Sequence, residues 1–445
     1  MRLASLLVPL VVLGVAVGCG EDMLEPGALT ITVSADPPEL TNDLTVQLVG
    51  QVTRTPAASG VTIVVTATGG TSAVTDTASA DGSFDLTVGL SVNAITQIQI
   101  TASDASGSTA TPASFNVRHD NTAAAVVSST PASNADRVTG GTVSFAFSEP
   151  IRPGSATISV TQQGVAVPGS SALSADSLTL TFVPAMPFAV NAIHSVALSG
   201  VRDAVGNTSA GSVQCFATGG AGITSFADDA GDLFTGGTPP ATLVPPDLRE
   251  LRFARGTEIL YTIVEFDAPR SLSPTAANNT TLWIDFDTDQ DGATGFTTQK
   301  DTVFSGSGLV GPSGAGAEYM IHMGTLVETP PDTGFVGMYT AQGSWTGALF
   351  RPSFCGNLIG FAIPFAALGG DDGAFDIVLY VDVYDPGTGT IFDVAPDDGV
   401  HSVNLTSAVA AAATGPVPEL SPTVPQSRRW PMRRPARDWR VLRQP

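Results

Sequence analysis

At 445 residues the chain is long enough for about three domains. Its 41 Asp and Glu against 19 Lys and Arg leave a formal charge of −22, and Lys300 is the only lysine. A field of that sign repels nucleic acid and anionic membrane surfaces, and favours solubility and divalent cations. Seven arginines fall between Arg428 and Arg443, so everything before them is more acidic than the total. Low charge density, few aromatics and abundant Gly, Thr, Ser, Ala and Val are the composition of secreted β-proteins.

The chain begins with one positive charge at Arg2, an apolar run from Leu3 to Val17, and then Gly18-Cys19. That run is shorter than the ~20 residues a membrane span needs, and it reads as a secretory signal over residues 1–18. Ala16-Val17-Gly18-Cys19 resembles the lipobox of bacterial lipoproteins, with Ala16 where Leu is usual. The resemblance implies a lipidated Cys19 as mature N-terminus, a membrane anchor through that lipid, and a place in the cell envelope outside the cytoplasm. An ordinary signal peptide is the alternative. Residues 19–27 then form a short polar tether. Cys215 and Cys355 remain; in a secreted chain they form either a bridge or two separately buried thiols, and the sequence leaves both open.

From residue 28 to 119 short runs alternate with period 2: Leu29–Val33, Leu44–Leu48, Val61–Val65, Ser83–Val88 and Ile95–Ile100. Pro37-Pro38, Gly69-Gly70, Asp81-Gly82 and Ser106-Gly107 punctuate them, which is the strand-and-turn spacing of an antiparallel sandwich. The turn Asp81-Gly-Ser-Phe84 and the segment Ala102-Ser-Asp104-Ala-Ser-Gly107 resemble bacterial Ig-like domains.

Residues 120–219 form a second module of similar size. Ser129-Thr-Pro131, Val143–Ile151 with its Ser148-Glu149-Pro150, Leu178–Pro184 and Asp203-Ala-Val-Gly206-Asn207 resemble, in order, the Ig-like domain named for the S-layer protein SbsA. Phe145, Phe147, Leu178, Leu180 and Phe182 alternate as inward positions. Tandem modules of this kind serve as spacers or adhesive surfaces.

Residues 220–406 make the largest domain, also β. Its candidate strands are Leu248–Phe253, Ile259–Phe266, Thr281–Phe286, Glu318–Met323, Leu358–Ile363 and Ile377–Val383. The second and last are nearly continuous apolar runs, as in strands covered on both faces. Asp228–Asp232, Pro246-Asp247-Leu248, the loop after Asp287, Ala317-Glu318-Tyr319 and Asp393–Gly399 occur in an order that resembles DOMON-like, family-9-type carbohydrate-binding β-sandwiches. Residues 407–445, rich in Pro and Arg and without apolar periodicity, read as a disordered tail. The expected fold class is therefore all-β: two tandem Ig-like sandwiches, a larger sandwich, and that tail.

One constellation has defined chemistry. Asp285-Phe-Asp287-Thr-Asp289-Gln-Asp291-Gly292 follows the apolar run Leu282-Trp-Ile284. Carboxylates at alternate positions closed by a glycine turn point hard oxygens at one Ca²⁺, with Asp287, Asp289 and Asp291 as side-chain ligands. An EF-hand would place a bidentate Glu at the twelfth position, where this chain has Thr298, and flanking strands exclude that motif. The coordination sphere must then be completed by backbone carbonyls, water or a carboxylate from a neighbouring loop. A solvated acidic turn is the competing reading, disfavoured by uncompensated repulsion.

Asp228 and Asp232 are further candidate ligand-binding residues, weighed against ordinary solvated turns. Trp345, in a Gln-Gly-Ser-Trp-Thr-Gly context that reads as a loop, is the best candidate for an aromatic exposed to a sugar; most of Trp283, Tyr261, Tyr319, Tyr339 and Tyr380 lie in predicted strands. The four histidines are scattered, no zinc spacing or nucleophile motif is present, and no catalytic residue is assigned. The sequence thus predicts a non-catalytic envelope lipoprotein whose calcium-stabilised sandwich binds a glycan, an envelope polymer or another surface partner. The alternatives are a purely structural component and an extracellular glycoside hydrolase, for which two suitably spaced carboxylates suffice. Nothing predicts an oligomer.

Overall fold

The computed structural model describes residues 27–235, 241–271, 277–304, 307, 309–323, 336–340, 345–383, 391–405 and 440–441; of the strands at 336–339, 345–350 and 440–441 it describes only the backbone. The expected signal peptide, Cys19, all but the last residue of the tether and nearly all of the tail lie outside the described residues. The chain divides into two compact units, one running to Ala123 with Val205–Asn207 and the other made of the rest.

In the first unit the alternating runs become two facing sheets. One holds Ala28–Val33, Thr45–Thr55 and Ser83–Gly89; the other holds Leu40–Thr41, Ala113–His119, Ile95–Asp104, Ile63–Thr68 and Val74–Thr77. Period-2 patterning puts Leu48, Val52, Leu86, Val88, Val65, Ile98, Ile100 and Val117 between them. Asp104, from the segment that carries the Ig-like resemblance, pairs with the buried Arg54 at 3.0 Å. Burial pushes its carboxyl up, but the Ser106 hydroxyl, Arg54 and the Ser108 and Ser106 amides outweigh that and bring it to about 2.

The second unit opens with another sandwich. Its four-stranded sheet runs Gly169–Leu173, Thr179–Pro184, Val143–Phe147, Val126–Thr130. Its five-stranded sheet runs Ala135–Val138, Ser212–Thr218, Ile193–Ser199, Thr157–Gln162, Val165–Ala166. Phe145, Phe147, Leu180 and Phe182 fill its core as their spacing predicts. Leu178 lies one residue ahead of the strand and is only half-buried.

The larger sandwich follows in the same unit. Its first sheet orders Ile223–Ala227, Leu248–Arg255, Ile259–Phe266, Leu358–Pro364 and Ser353–Cys355. The second orders Trp345–Phe350, Val336–Thr340, Tyr319–Met323, Thr281–Asp287, Ala374–Val383, Ile391–Ala395 and Phe234–Thr235, with His401–Asn404 also on Ala374–Val383. Arg440–Val441 pairs antiparallel with Phe234–Thr235, so this part of the expected disordered tail is a strand. Leu282, Ile284, Phe286, Phe375, Ile377, Leu379, Leu251, Phe253, Val264 and Phe361 pack between the sheets.

Both apolar runs are covered on their outer faces, by different things. Tyr261 and Ile263 of Ile259–Phe266 pack on Ala189, Ala192, Ile193 and Ala217 of the Ig-like sandwich. Tyr380 of Ala374–Val383 packs under the short helix Gln299–Phe304, an element the β-pattern did not reveal. Cys215 and Cys355 form a disulfide, with their Cα atoms 5.6 Å apart, which resolves the alternative the sequence left open.

Candidate metal centre and the acidic interior

Strand Thr281–Asp287 turns Leu282, Ile284 and Phe286 to the core and therefore Trp283, Asp285 and Asp287 to the outer face. Asp287 ends the strand almost completely buried, at 2% exposure. Its Oδ2 accepts the Gly316 amide at 3.1 Å, while its Oδ1 is buried with no partner among the described residues. Oxygens of Asp287, Asp289 and Glu318 lie within 4.8 Å of one another. Glu318 is drawn in because Thr288 donates its amide to Oε2 at 2.9 Å. The Thr294 hydroxyl lies 2.9 Å from Asp289 Oδ2 and 3.1 Å from Glu318 Oε1. The turn that brings Thr294 back needs Gly295, at φ 66°, where a Cβ would strike the Gly316 and Ala317 carbonyls.

Asp291, expected as the third ligand, is not part of this group. Its Oδ1 accepts the Ala293 amide at 3.0 Å, so the carboxylate caps its own turn as Asp commonly does. Asp285 is buried beneath the helix, and its Oδ2 accepts the Gln299 amide at 2.6 Å. Burial raises Asp287, reinforced by Glu318, Asp289 and Asp376, while the Thr294 hydroxyl and Asp291 amide lower Asp289. Two hard-oxygen ligands about 2.4 Å from one Ca²⁺ stand at most about 4.8 Å apart, so the three carboxylates fit a shared ion. The unsatisfied Oδ1 of Asp287 is the atom that most needs one.

A second group gathers Asp228 and Asp232 with Asp393, again within 4.8 Å. Asp393 points into the sandwich, fully buried, its Oδ2 accepting the Leu248 amide at 2.7 Å and its Oδ1 the Val394 amide at 2.9 Å. Asp228 Oδ2 and Asp232 Oδ1 are buried without a partner among the described residues. Burial first, then the neighbouring carboxylates, raises Asp228 to about 8; burial and neighbours raise Asp232 to about 6 against its own amide. Such a group holds either protons or a cation.

The aromatics pack on one another. Trp283 stacks on His322 with centroids 4.5 Å apart and meets Tyr380 at 5.0 Å. Phe304 from the helix packs against Tyr380, Phe392 and Phe234. Trp345 begins a strand instead of lying in a loop; its side chain lies outside the described residues. Lys300 is buried, donating to the Pro396 carbonyl at 2.6 Å and the Gly399 carbonyl at 3.4 Å, and so ties the helix to the loop after Asp393.

Sequence reasoning missed the roles of Glu318, Asp393 and Arg252. Arg252 is fully buried where the Ig-like and larger sandwiches meet, with Nη1 2.9 Å from Asp136, Nη2 3.5 Å from Glu265 and Nε 3.6 Å from Glu250. Each is joined to most of its partners by strand pairing or domain packing, which leaves little local spacing to read.

No curated relative matches the chain in sequence. Solved structures overlap it weakly. The copper resistance protein PcoC of Escherichia coli is 16% identical, covering 22% of this chain and 99% of its own, with a TM-score of 0.20. The N-terminal part of the bacterial S-layer protein SbsC is 13% identical over 33% of this chain and 41% of its own, with a TM-score of 0.19. A structure from a 1.5-MDa bacterial ice-binding adhesin is 13% identical over 85% of this chain and 98% of its own, with a TM-score of 0.25. None of these overlaps carries an argument about function. Residues 120–218 match the family model described as a bacterial Ig-like domain, Big_5, in agreement with the two-sheet sandwich they form and with the Ig-like resemblance of their sequence.

Proposed function

We propose that the chain is a non-catalytic cell-envelope protein, anchored by a lipid on Cys19, in which Ig-like modules hold a calcium-stabilised β-sandwich outside the cytoplasm. The observation that carries the calcium reading is the convergence of Asp287, Asp289 and Glu318 around a buried, unpartnered carboxylate oxygen. The disulfide supports an oxidising compartment, and pairing Cys215 with Cys355 leaves Cys19 as the one cysteine outside a bridge. Within that reading a structural role is favoured over ligand capture. The cavity lined by Gln162, Asn191, Tyr261 and Phe361 has about 10 Å³, room for one water and too little for a sugar. Adding Ca²⁺ to the EDTA-treated chain is expected to raise the melting temperature of the second unit. Asp287→Asn or Glu318→Gln removes most of that rise, while Asp291→Asn keeps it. Loss of the rise in Asp291→Asn alone would reject this ligand set.

The glycan-binding reading is supported by the partly exposed Trp283–His322 stack, a flat aromatic surface of the kind sugars pack against. A glycan array probed with the whole chain, with and without Ca²⁺, decides between the two readings. Binding that vanishes in EDTA would favour ligand capture, and silence under both conditions leaves the structural role.

A further inference from the structure

We infer that the junction between the Ig-like sandwich and the larger sandwich is a weld that carries tension across it, which takes residues 216–354 off the path of force through the chain. This inference is independent of the calcium reading. The backbone passes from one sandwich to the other through Gly219-Gly220, with Gly220 at φ 146°, so two residues without side chains follow the buried Thr218. Four kinds of contact run in parallel with it.

Cys215, on the last strand of the Ig-like sandwich, is bonded to Cys355 on the edge strand Ser353–Cys355. Arg252 holds Asp136 of one sandwich against Glu250 and Glu265 of the other, and Arg137 pairs back onto Glu250. The buried Asn191 amide donates to the Arg252 carbonyl at 2.9 Å and the Tyr261 carbonyl at 3.0 Å, clamping two adjacent strands. Two apolar clusters, around Ile193, Ile263 and Leu358 and around Ala192, Ala254 and Tyr261, pack across the joint.

Tension entering from the N-terminal side reaches Cys215 and crosses the sulfur–sulfur bond to Cys355 without travelling the sequence separation of 140 that divides them. Both carboxylate groups except Asp393 lie inside that bypassed loop. The strands after Cys355, from Leu358–Pro364 to His401–Asn404, stay on the load path and remain extensible.

Single-molecule force spectroscopy of the whole chain, tethered at its termini, tests this. The sequence separation of 140 represents about 500 Å of extended chain at ~3.6 Å per residue. Oxidised molecules are expected to end about 500 Å shorter than molecules reduced with dithiothreitol. That reductant supplies two electrons and two protons, breaking the S–S bond to give two thiols, counted by thiol titration. The double variant Cys215→Ala, Cys355→Ala is expected to give the long trace without reductant. Equal lengths for oxidised wild type and double variant, or two titratable thiols in the protein purified without reductant, would overturn the inference.

Discussion

Replacing Arg252 with Met is expected to destabilise the second unit by about 1.5–3 kcal/mol, the cost of removing a buried guanidinium that is charge-paired with three partly exposed carboxylates. Arg252 is fully buried and lies against three acids from two sandwiches. Asp136 and Glu250 retain Arg137, the first at 3.7 Å. Glu265 loses more. Burial already raises its pKa and Arg252 is first among the groups holding it down, so without that guanidinium it takes up a proton or draws in water. The variant Arg252→Lys is expected to recover less than half, because one ammonium cannot span the positions that three guanidinium nitrogens reach. Adding Glu265→Gln to Arg252→Met should restore part of the loss. Urea denaturation at pH 7 measures all three, and a loss below about 1 kcal/mol in Arg252→Met would show that the joint does not depend on this network.

What the sequence disclosed follows from the range over which each interaction acts. Strand positions came from period-2 patterning, a local property, and Leu248–Arg255, Ile259–Phe266, Thr281–Asp287 and Leu358–Pro364 lie where it puts them. That Asp287 and Asp289 lie close together follows from spacing that is local too. The approach of Glu318 does not, since that residue reaches the site through the pairing of Tyr319 with Phe286, about 30 residues back along the chain. Asp291 stands apart from these carboxylates for the converse reason. Alternation shows which carboxylates can face one way, but Asp at a turn also caps its own backbone, and that bond wins here. The helix Gln299–Phe304 is six residues long, too short for a 3.6-residue period to emerge from neighbouring β-patterns. Asp393 sits on an inward position of Ile391–Ala395, where alternation predicts an apolar residue; it is accommodated by two backbone amides.

That acidic interior sets the response to pH, and the two units are expected to respond in opposite senses. Asp382 is 8% exposed, with Oδ1 unpartnered among the described residues, and burial lifts its carboxyl to about 7 against the weaker pull of the Thr281 and Tyr380 hydroxyls. In the unfolded chain it ionises near pH 4, so between about pH 4 and pH 7 the folded state holds a proton that the unfolded state has released. Stability therefore falls as pH rises through that window, by about 4 kcal/mol at most for this residue, and levels off above it. Asp285 at about 7, Asp228 at about 8 and Asp232 at about 6 act in the same direction. Asp104 of the first unit, at about 2, acts oppositely, since its stabilisation is complete above pH 4 and is lost only as pH falls toward 2. Calorimetry in EDTA is expected to show the second unit melting at lower temperature at pH 8 than at pH 5 while the first unit holds constant. Asp382→Asn should raise the second transition at pH 8 and flatten its slope, because an amide fills the same space without the charge. Calcium should stabilise the second unit more at pH 8 than at pH 5, where protons compete for the same oxygens. A second transition that rises from pH 5 to pH 8 in EDTA would mean that these carboxylates find counter-charges in the folded chain, and that the drive to recruit a cation is absent.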